Sequence, residues 1–220
     1  MQATTSGRRY HHGDLRRALV DAALARTRHA GPDGLALRVV TRDAGVSPNA
    51  AYRHFADRDA LLGAVADEVM LRMATQMRAH ARSEIADPGE RARDLLRAVG
   101  LGYVEFARSE PGWFAVAFFA AREHQQPGPE GVAAREPAPY LLLVEALDGL
   151  VAAGLVEPAA HTAALWACWS TVHGFAELAI HGPLRTVPDP AVRALAAAAV
   201  DAVIAGVTGG ADGTAAAHER

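Results

Sequence analysis

Apolar residues recur every three or four positions along most of the chain, and this spacing predicts helices rather than strands. The first predicted helix opens at Asp14, a good N-cap residue, and stops near Gly31 and Pro32. A short helix is predicted next, from Leu37 to Ala44, with its apolar residues on one face. The chain therefore begins with one ordinary helix and one short helix.

Gly45 marks a tight break after the short helix, because glycine adopts backbone conformations that a side chain disfavours. Ser47 and Pro48 then restart the chain as an N-cap residue and a first helical residue. The third helix is predicted over residues 49–55. Two short helices joined in this way describe a helix-turn-helix.

The rest of the chain predicts six more helices, with no internal repeat and no strand, so the fold class is all-α. Asp57 caps the fourth helix, a long one that we expect to run to Ala86. The other five are predicted over 90–109, 111–122, 137–153, 158–181 and 189–207. Residues 125–131 read as a loop because they are rich in proline and glycine.

Composition narrows the class of protein. With 220 residues, half of them apolar, the chain can form one large or two small globular domains. The single cysteine, Cys168, excludes a fold stapled by intrachain disulfides, and the start of the chain has no apolar signal-peptide core. Residues 158–176 carry no formal charge, but their polar residues favour a buried helix over a membrane span. We therefore expect a cytoplasmic protein.

Charge is unevenly distributed along the chain. The net charge is −3, which alone argues against a nucleic-acid partner. Residues 1–58 hold ten arginines against five acidic residues, or +5, whereas residues 59–220 hold twelve against twenty, or −8. A basic head on an acidic body indicates that only the head meets a polyanion.

The second helix of the helix-turn-helix can enter the major groove of DNA with its polar face. That face offers Asn49 and Arg53 to base edges, and Tyr52 and His54 to phosphates. Its opposite face, with Ala51, is expected to turn inward together with Phe55. Taken singly, Tyr52 could be ordinary packing and Arg53 a solvated charge, so the prediction depends on the whole combination.

The run from Leu37 to Leu62 resembles the N-terminal domain of TetR-type repressors, above all in its Ala-Gly-Val-Ser turn and Tyr-x-His-Phe helix. The match extends back through Tyr10-His11-His12-Gly13-Asp14-Leu15 and forward to about Val65. The resemblance implies that residues 47–53 lie in the groove and that Tyr52, His54 and Arg58 contact phosphates. The candidate DNA-contacting residues are Arg38, Ser47, Pro48, Asn49, Ala50, Tyr52, Arg53, His54 and Arg58.

Three places depart from the family pattern. Ala36 stands where a serine or threonine often caps the first helix of the motif. Arg58 replaces the usual lysine, which keeps the charge and changes its geometry. Ala50 and Ala51 replace a commoner threonine-leucine pair, which leaves the operator sequence open.

The body contains most of the aromatic residues, and helical bundles build apolar ligand cavities from such side chains. Any one of them could equally be plain core. The segment 166–175 resembles a C-terminal domain found in a subset of these repressors, in which Trp169, His173 and Gly174 fit a Trp-x-x-x-His-Gly pattern. The candidate ligand-binding residues are Tyr103, Phe106, Trp113, Phe114, Phe118, Trp166, Trp169 and His173.

Two of these motif positions allow a finer expectation. His173 could bind a ligand or a metal, but a buried structural histidine is the preferred interpretation, because no carboxylate or cysteine stands at ligand spacing. We expect no metal and no cofactor. Gly174, in mid-helix, predicts close packing of another backbone against it.

The resemblance implies a dimer interface formed by the last two helices. Val192, Leu195, Ala199 and Val203 recur there at helical spacing, although intrachain packing would produce the same stripe. The predicted domains are a helix-turn-helix DNA-binding domain over 1–65 with a flexible basic arm, an effector-binding and dimerisation domain over 66–207, and a disordered tail over 208–220.

No catalytic motif such as HExxH, GxxxxGK[ST] or GxSxG is present, so we do not expect the protein to be an enzyme.

The predicted function is a homodimeric repressor that binds a palindromic DNA operator and is released by a small, largely apolar effector. The alternative is a helical protein that sequesters a small molecule and keeps a vestigial head. An enzyme using His173 with a nearby carboxylate has the least support.

Overall fold

The computed structural model describes residues 12–120 and 138–209, and this part of the chain is helical without a strand, as predicted. The predicted arm, the 125–131 loop and the tail from residue 210 onward lie outside the described residues. The helices are α1 (His12–Ala30), α2 (Leu37–Asp43), α3 (Pro48–Tyr52), α4 (Arg58–Ala79), α5 (Pro88–Ser109), α6 (Pro111–Ala115), α7 (Ala138–Ala152), α8 (His161–Ile180) and α9 (Asp189–Thr208).

The described residues divide into two compact units. Residues 12–67 and 112–120 form the first, which we call the head. Residues 68–111 and 138–209 form the second, which we call the body. The domain boundary predicted after residue 65 stays a prediction. Helix α4 runs through residue 65 without a break, and α6, which is later in the chain, belongs to the head.

The head is a small helical core. In it α1 packs against α2 and α3, and Leu19, Val40 and Leu61 are fully buried. Asp57 caps α4 as predicted, since its Oδ1 accepts a hydrogen bond of 2.8 Å from the Ala60 amide. Burial of these apolar side chains stabilises helices that are too short to persist alone.

Two predicted helix boundaries are wrong. Helix α1 begins at His12, so Asp14 lies inside its first turn instead of capping it. Helix α4 ends at Ala79, seven residues before the predicted end at Ala86.

Side chains of α5 explain the early end of α4. Asp94 accepts bonds from the Arg82 amide at 2.7 Å and from its Nε at 2.6 Å. Arg91 donates to the carbonyls of Ile85 and Ala86, each at 3.0 Å. These partners replace the helical hydrogen bonds of the connection.

The predicted helix over 111–122 also differs from the observed structure. It is α-helical only as α6, and it continues as a π-helical turn over Val116–Ala120. The π-helical turn directly follows α6, whose Trp113 and Phe114 side chains are buried in the head.

Helix α5 forms the centre of the body and packs against α7, α8 and α9. Two glycines on α5 allow close helix approach. A Cβ on Gly100 would lie 3.0 Å from both methyls of Val200 on α9, and one on Gly102 would lie 2.6 Å from the Cα of Met77 on α4. Arg97 of α5 also pairs with Asp201 of α9 at 2.7 Å.

Candidate functional site

The turn between α2 and α3 has the predicted geometry. Gly45 has a φ of +69°, in the left-handed region that side chains disfavour. The Val46 amide donates to the Thr41 carbonyl at 2.9 Å, and the Ala50 amide donates to Ser47 Oγ at 3.3 Å. The predicted N-cap at Ser47 is therefore confirmed, and it sets the direction in which α3 leaves the turn.

Helix α3 has two different faces. Ala51 is fully buried, as is Phe55 just beyond the helix, so both turn inward as predicted. Asn49 and Arg53 are exposed, and 54% of Tyr52 is accessible. The outer surface therefore presents an amide, a phenol and a guanidinium, which are groups that can bind base edges and phosphates.

Several head arginines are already engaged by neighbours. Arg26 pairs with Asp43 at 2.6 Å, and the Arg16 guanidinium lies 4.6 Å from the centre of the Phe55 ring. By contrast, Arg38 of α2 and Arg53 beside α3 are exposed and form no ion pair within residues 12–120 and 138–209. Both side chains therefore contribute accessible positive charge to the motif.

Arg58 is bound within the head. Its Nε donates to the Leu35 carbonyl at 2.9 Å, and its Nη2 donates to the Pro32 carbonyl at 2.6 Å. Ala36 offers no side-chain cap to α2, as its residue type predicts. The phosphate contact implied for Arg58 stays a prediction, and two of the five N–H groups of its guanidinium are held by these carbonyls.

The body contains a narrow cavity of about 20 Å³ between α4, α5, α7, α8 and α9. Two predicted residues, Tyr103 and Trp169, line it, and their ring centres are 5.9 Å apart in an edge-to-face arrangement. The Tyr103 hydroxyl and His173 Nδ1 are hydrogen-bonded at 2.7 Å. The rest of the lining is Met77, Leu96, Val99, Gly100, Pro139, Leu143, Cys168, Val172, Val200, Val203 and Ile204.

The other predicted ligand residues lie elsewhere. Phe106 is buried in α5 but does not line the cavity. Trp113, Phe114 and Phe118 belong to the head, where the Trp113 indole donates to the Leu24 carbonyl at 2.9 Å. Trp166 is 59% exposed on α8. The ligand role of all eight stays a prediction. The structure brings Tyr103 together with Trp169 and His173 beside the cavity, whereas Phe114 and Phe118 contact each other in the head, with ring centres 4.7 Å apart.

Most cavity-lining residues were missed because they are aliphatic and resemble ordinary core in the sequence. Gly100 is the lining residue that the sequence could have indicated, since a glycine in mid-helix indicates close approach of another element. Cys168 is also in the lining, and burial raises the pKa of its thiol to about 11. The thiol is therefore protonated at neutral pH, which suits an inert side chain.

The outer faces of α8 and α9 are apolar and uncovered in the described chain. Trp166 and Leu178 project from α8, and Leu195 projects from α9. Among the described residues α9 is also the helix long and apolar enough to cross a membrane, yet only 22% of it is buried. Exposed apolar surface of this kind is typical of an interaction site.

Two expectations about these helices concern what packs against them. Val192 is buried against its own chain, which is the intrachain packing that the sequence left open. Nothing lies within 4 Å of a Cβ placed on Gly174, so no backbone of the described chain packs there. The 158–176 segment is likewise buried only on its inner face.

Comparison with known proteins covers both units. A model described as bacterial regulatory proteins of the tetR family matches residues 19–65, and one described as a tetracyclin repressor-like C-terminal domain matches residues 96–203. A Rhodococcus sp. RHA1 protein with unknown function is 32% identical, with a TM-score of 0.71, over 92% of this chain and 100% of its own.

Two further solved structures share the fold at lower identity. The regulator SCO7222, a TetR from Streptomyces coelicolor, is 23% identical, with a TM-score of 0.62, over 88% of this chain and 97% of its own. The regulator FadR from Bacillus subtilis in complex with stearoyl-CoA is 16% identical, also with a TM-score of 0.62, over 87% of this chain and 98% of its own.

Proposed function

The chain belongs to the TetR family of ligand-responsive, DNA-binding transcriptional regulators, and we propose that it is a repressor acting as a homodimer on a palindromic operator. The observation that carries this proposal is the exposed polar face of α3 behind the Ser47 cap. The family is a class of regulators rather than enzymes, and we expect the protein in the cytoplasm, where operator DNA lies.

We assign DNA recognition to the outer surface of the helix-turn-helix. Arg53 and Asn49 would read base edges in the major groove, and Tyr52 and His54 would contact phosphates. The exposure of Arg38 and Arg53 supports the assignment, because neither has to break an ion pair of the described chain. The proposed contact residues are Arg38, Ser47, Pro48, Asn49, Ala50, Tyr52, Arg53 and His54. Arg58 is treated separately because two of its N–H groups are bound to carbonyls of the head.

We assign dimerisation to the outer faces of α8 and α9. Leu178 and Leu195 are 47% and 48% exposed, and the exposed Gly174 leaves room for the close approach of a second chain. A two-fold axis through this surface would pair each face with its copy. A palindromic operator requires the two α3 helices of a dimer to lie about one DNA turn apart, roughly 34–36 Å.

The cavity in the body is the proposed effector site. Its lining is largely apolar, and the lining residue Tyr103 is hydrogen-bonded through its hydroxyl to His173, which suits a largely apolar molecule. A volume of about 20 Å³ accommodates about one water, so an effector needs a wider form of this cavity. Release from DNA would follow if the wider form disfavours the head spacing that the operator requires.

Retention of genomic DNA fragments by the purified protein tests the proposal. The fragments are incubated at near-physiological salt, and the retained DNA is sequenced. We expect a few fragments that share a palindrome, and we expect the Arg53→Ala protein to enrich them less and to tolerate changes at one base position of each half-site. Retention of all fragments equally, or of none, would contradict the proposed repressor and favour a protein that only sequesters a small molecule.

A further inference from the structure

Arg58 is the first residue of α4, and its side chain reaches back to the segment that precedes α2. The Nε and Nη2 atoms, adjacent on one edge of the guanidinium, donate to Leu35 and Pro32 at 2.9 and 2.6 Å. The third donor group, Nη1, lies 3.4 Å from Asp59 Oδ1. One side chain therefore joins the beginning of α4 to the connection between α1 and α2, where Pro32 lies in a 3-10 turn (Gly31–Gly34) and Leu35 follows it directly.

The entrance of α2 lacks the usual local support. Ala36 occupies the N-cap position with extended backbone angles, φ −103° and ψ 116°, and its side chain cannot accept a hydrogen bond. Helix α2 has only seven residues, a length that is unstable without tertiary contacts. The orientation of α2 must therefore be held by contacts from outside the helix.

We propose that Arg58 is a positioning residue, which holds the entrance of α2 and thereby the angle at which α3 meets the operator, instead of contacting a phosphate. The planar fork suits this role, because two parallel N–H groups can meet two carbonyls at once. Helix α3 follows α2 through the tight Gly45 turn, so a shift at the entrance of α2 is passed on to the recognition surface. The inference rests on the proposed operator binding.

The test compares operator affinity at several salt concentrations for the full-length protein and its Arg58→Met variant. Arg58→Met keeps most of the apolar stem but removes the charge and the donors. We expect its operator affinity to fall about tenfold, the effect of losing charge-assisted hydrogen bonds, with an unchanged salt slope. Arg38→Met is the matched control, since it removes the same charge from an exposed arginine of α2 and should reduce the slope.

A second change distinguishes positioning from DNA contact. Ala36→Ser introduces a hydroxyl that can cap α2 in the existing backbone conformation. In the Ala36→Ser/Arg58→Met protein we expect most of the lost affinity to return. A phosphate contact could not be restored this way, and its loss would lower the salt slope by about 0.9 per contact, or about 2 per homodimer.

Hydrogen exchange of the α2 amides measures the same contact without DNA. Arg58→Met should speed exchange in α2, and Ala36→Ser should slow it again. Affinities are compared below the melting temperature of each variant; if Arg58→Met does not fold, Arg58→Gln replaces it.

Three results would overturn the inference: a lower salt slope, unchanged operator affinity, or unchanged exchange in α2. A wild-type protein that retains no specific DNA would instead contradict the proposed function. In that case, the exchange measurement still decides whether Arg58 holds α2.

Discussion

The outer face of α3 and the outer faces of α8 and α9 are uncovered in the described part of the chain, and they differ in chemistry. The outer face of α3 carries Asn49, Tyr52 and Arg53, which are rich in hydrogen-bonding groups. The outer faces of α8 and α9 carry large apolar side chains such as Leu178 and Leu195. A polar, locally basic surface suits a polyanion, whereas an apolar surface suits another apolar surface. The composition of each uncovered face therefore indicates the class of partner.

The largest expected effect tests the apolar surface. Leu195→Glu would place a carboxylate from each chain in the dimer interface. We expect each carboxylate to weaken the free energy of dimerisation by about 2 kcal/mol. The dimer dissociation constant should rise about 1,000-fold, measured by sedimentation equilibrium. Leu71→Glu is the control, because Leu71 is equally large and exposed but lies on α4. Equal dimerisation of the Leu195→Glu and wild-type proteins would remove α9 from the interface.

The polar surface is tested by Arg53→Ala. Loss of a base contact should weaken binding to the preferred operator by about 1–3 kcal/mol and relax discrimination at one base position of each half-site. Binding to a panel of operators with single base changes measures both effects. Equal weakening for every operator would indicate a phosphate contact instead.

The covered side of α8 should respond in stability rather than in partner binding. Tyr103→Phe removes the hydroxyl that bonds to His173 Nδ1 in a part-buried site. We expect about 1–2 kcal/mol less stability in urea unfolding, because a buried polar atom loses a partner. Tyr140→Phe, on a half-buried ring of α7, serves as the control. Equal stability of the Tyr103→Phe and wild-type proteins would show that the bond contributes little.

The smallest effect concerns pH at the end of α4. The hydrogen bond between His80 Nδ1 and the Gln76 carbonyl, followed by the bond to Glu105, raises the pKa of His80 above its usual 6.5. Because the folded pKa is raised, the stabilisation is complete below pH 6.5 and is lost as pH rises through the folded pKa. The melting temperature should fall slightly over that range, and this fall should be absent in His80→Gln. High salt should weaken the Glu105 part of the effect, because it screens the attraction between exposed charges. Arg193 also approaches Glu105, at 3.9 Å, and shares that carboxylate with His80.

Local sequence rules predicted the head well and the body less well. The Gly45 turn, the Ser47 cap and the inward Ala51 follow from residue types within one or two helical turns. The end of α4 was missed because Arg82, Arg91 and Asp94 form bonds whose partners no periodic pattern identifies. Among the predicted ligand residues, Trp113 and Tyr103 are both aromatic side chains with one polar group, and the sequence treats them alike. They nevertheless belong to different units.

The sequence by itself determined the all-α class, the helix-turn-helix and the position of the basic charge, because each depends on neighbouring residues. Only the tertiary structure decided that Val192 faces its own chain, that Leu195 is exposed, and that aliphatic side chains line the cavity. It also decided that Arg58 binds two carbonyls of the head. These features depend on which distant segments meet, and helical spacing shows that a residue shares a face without showing what that face contacts.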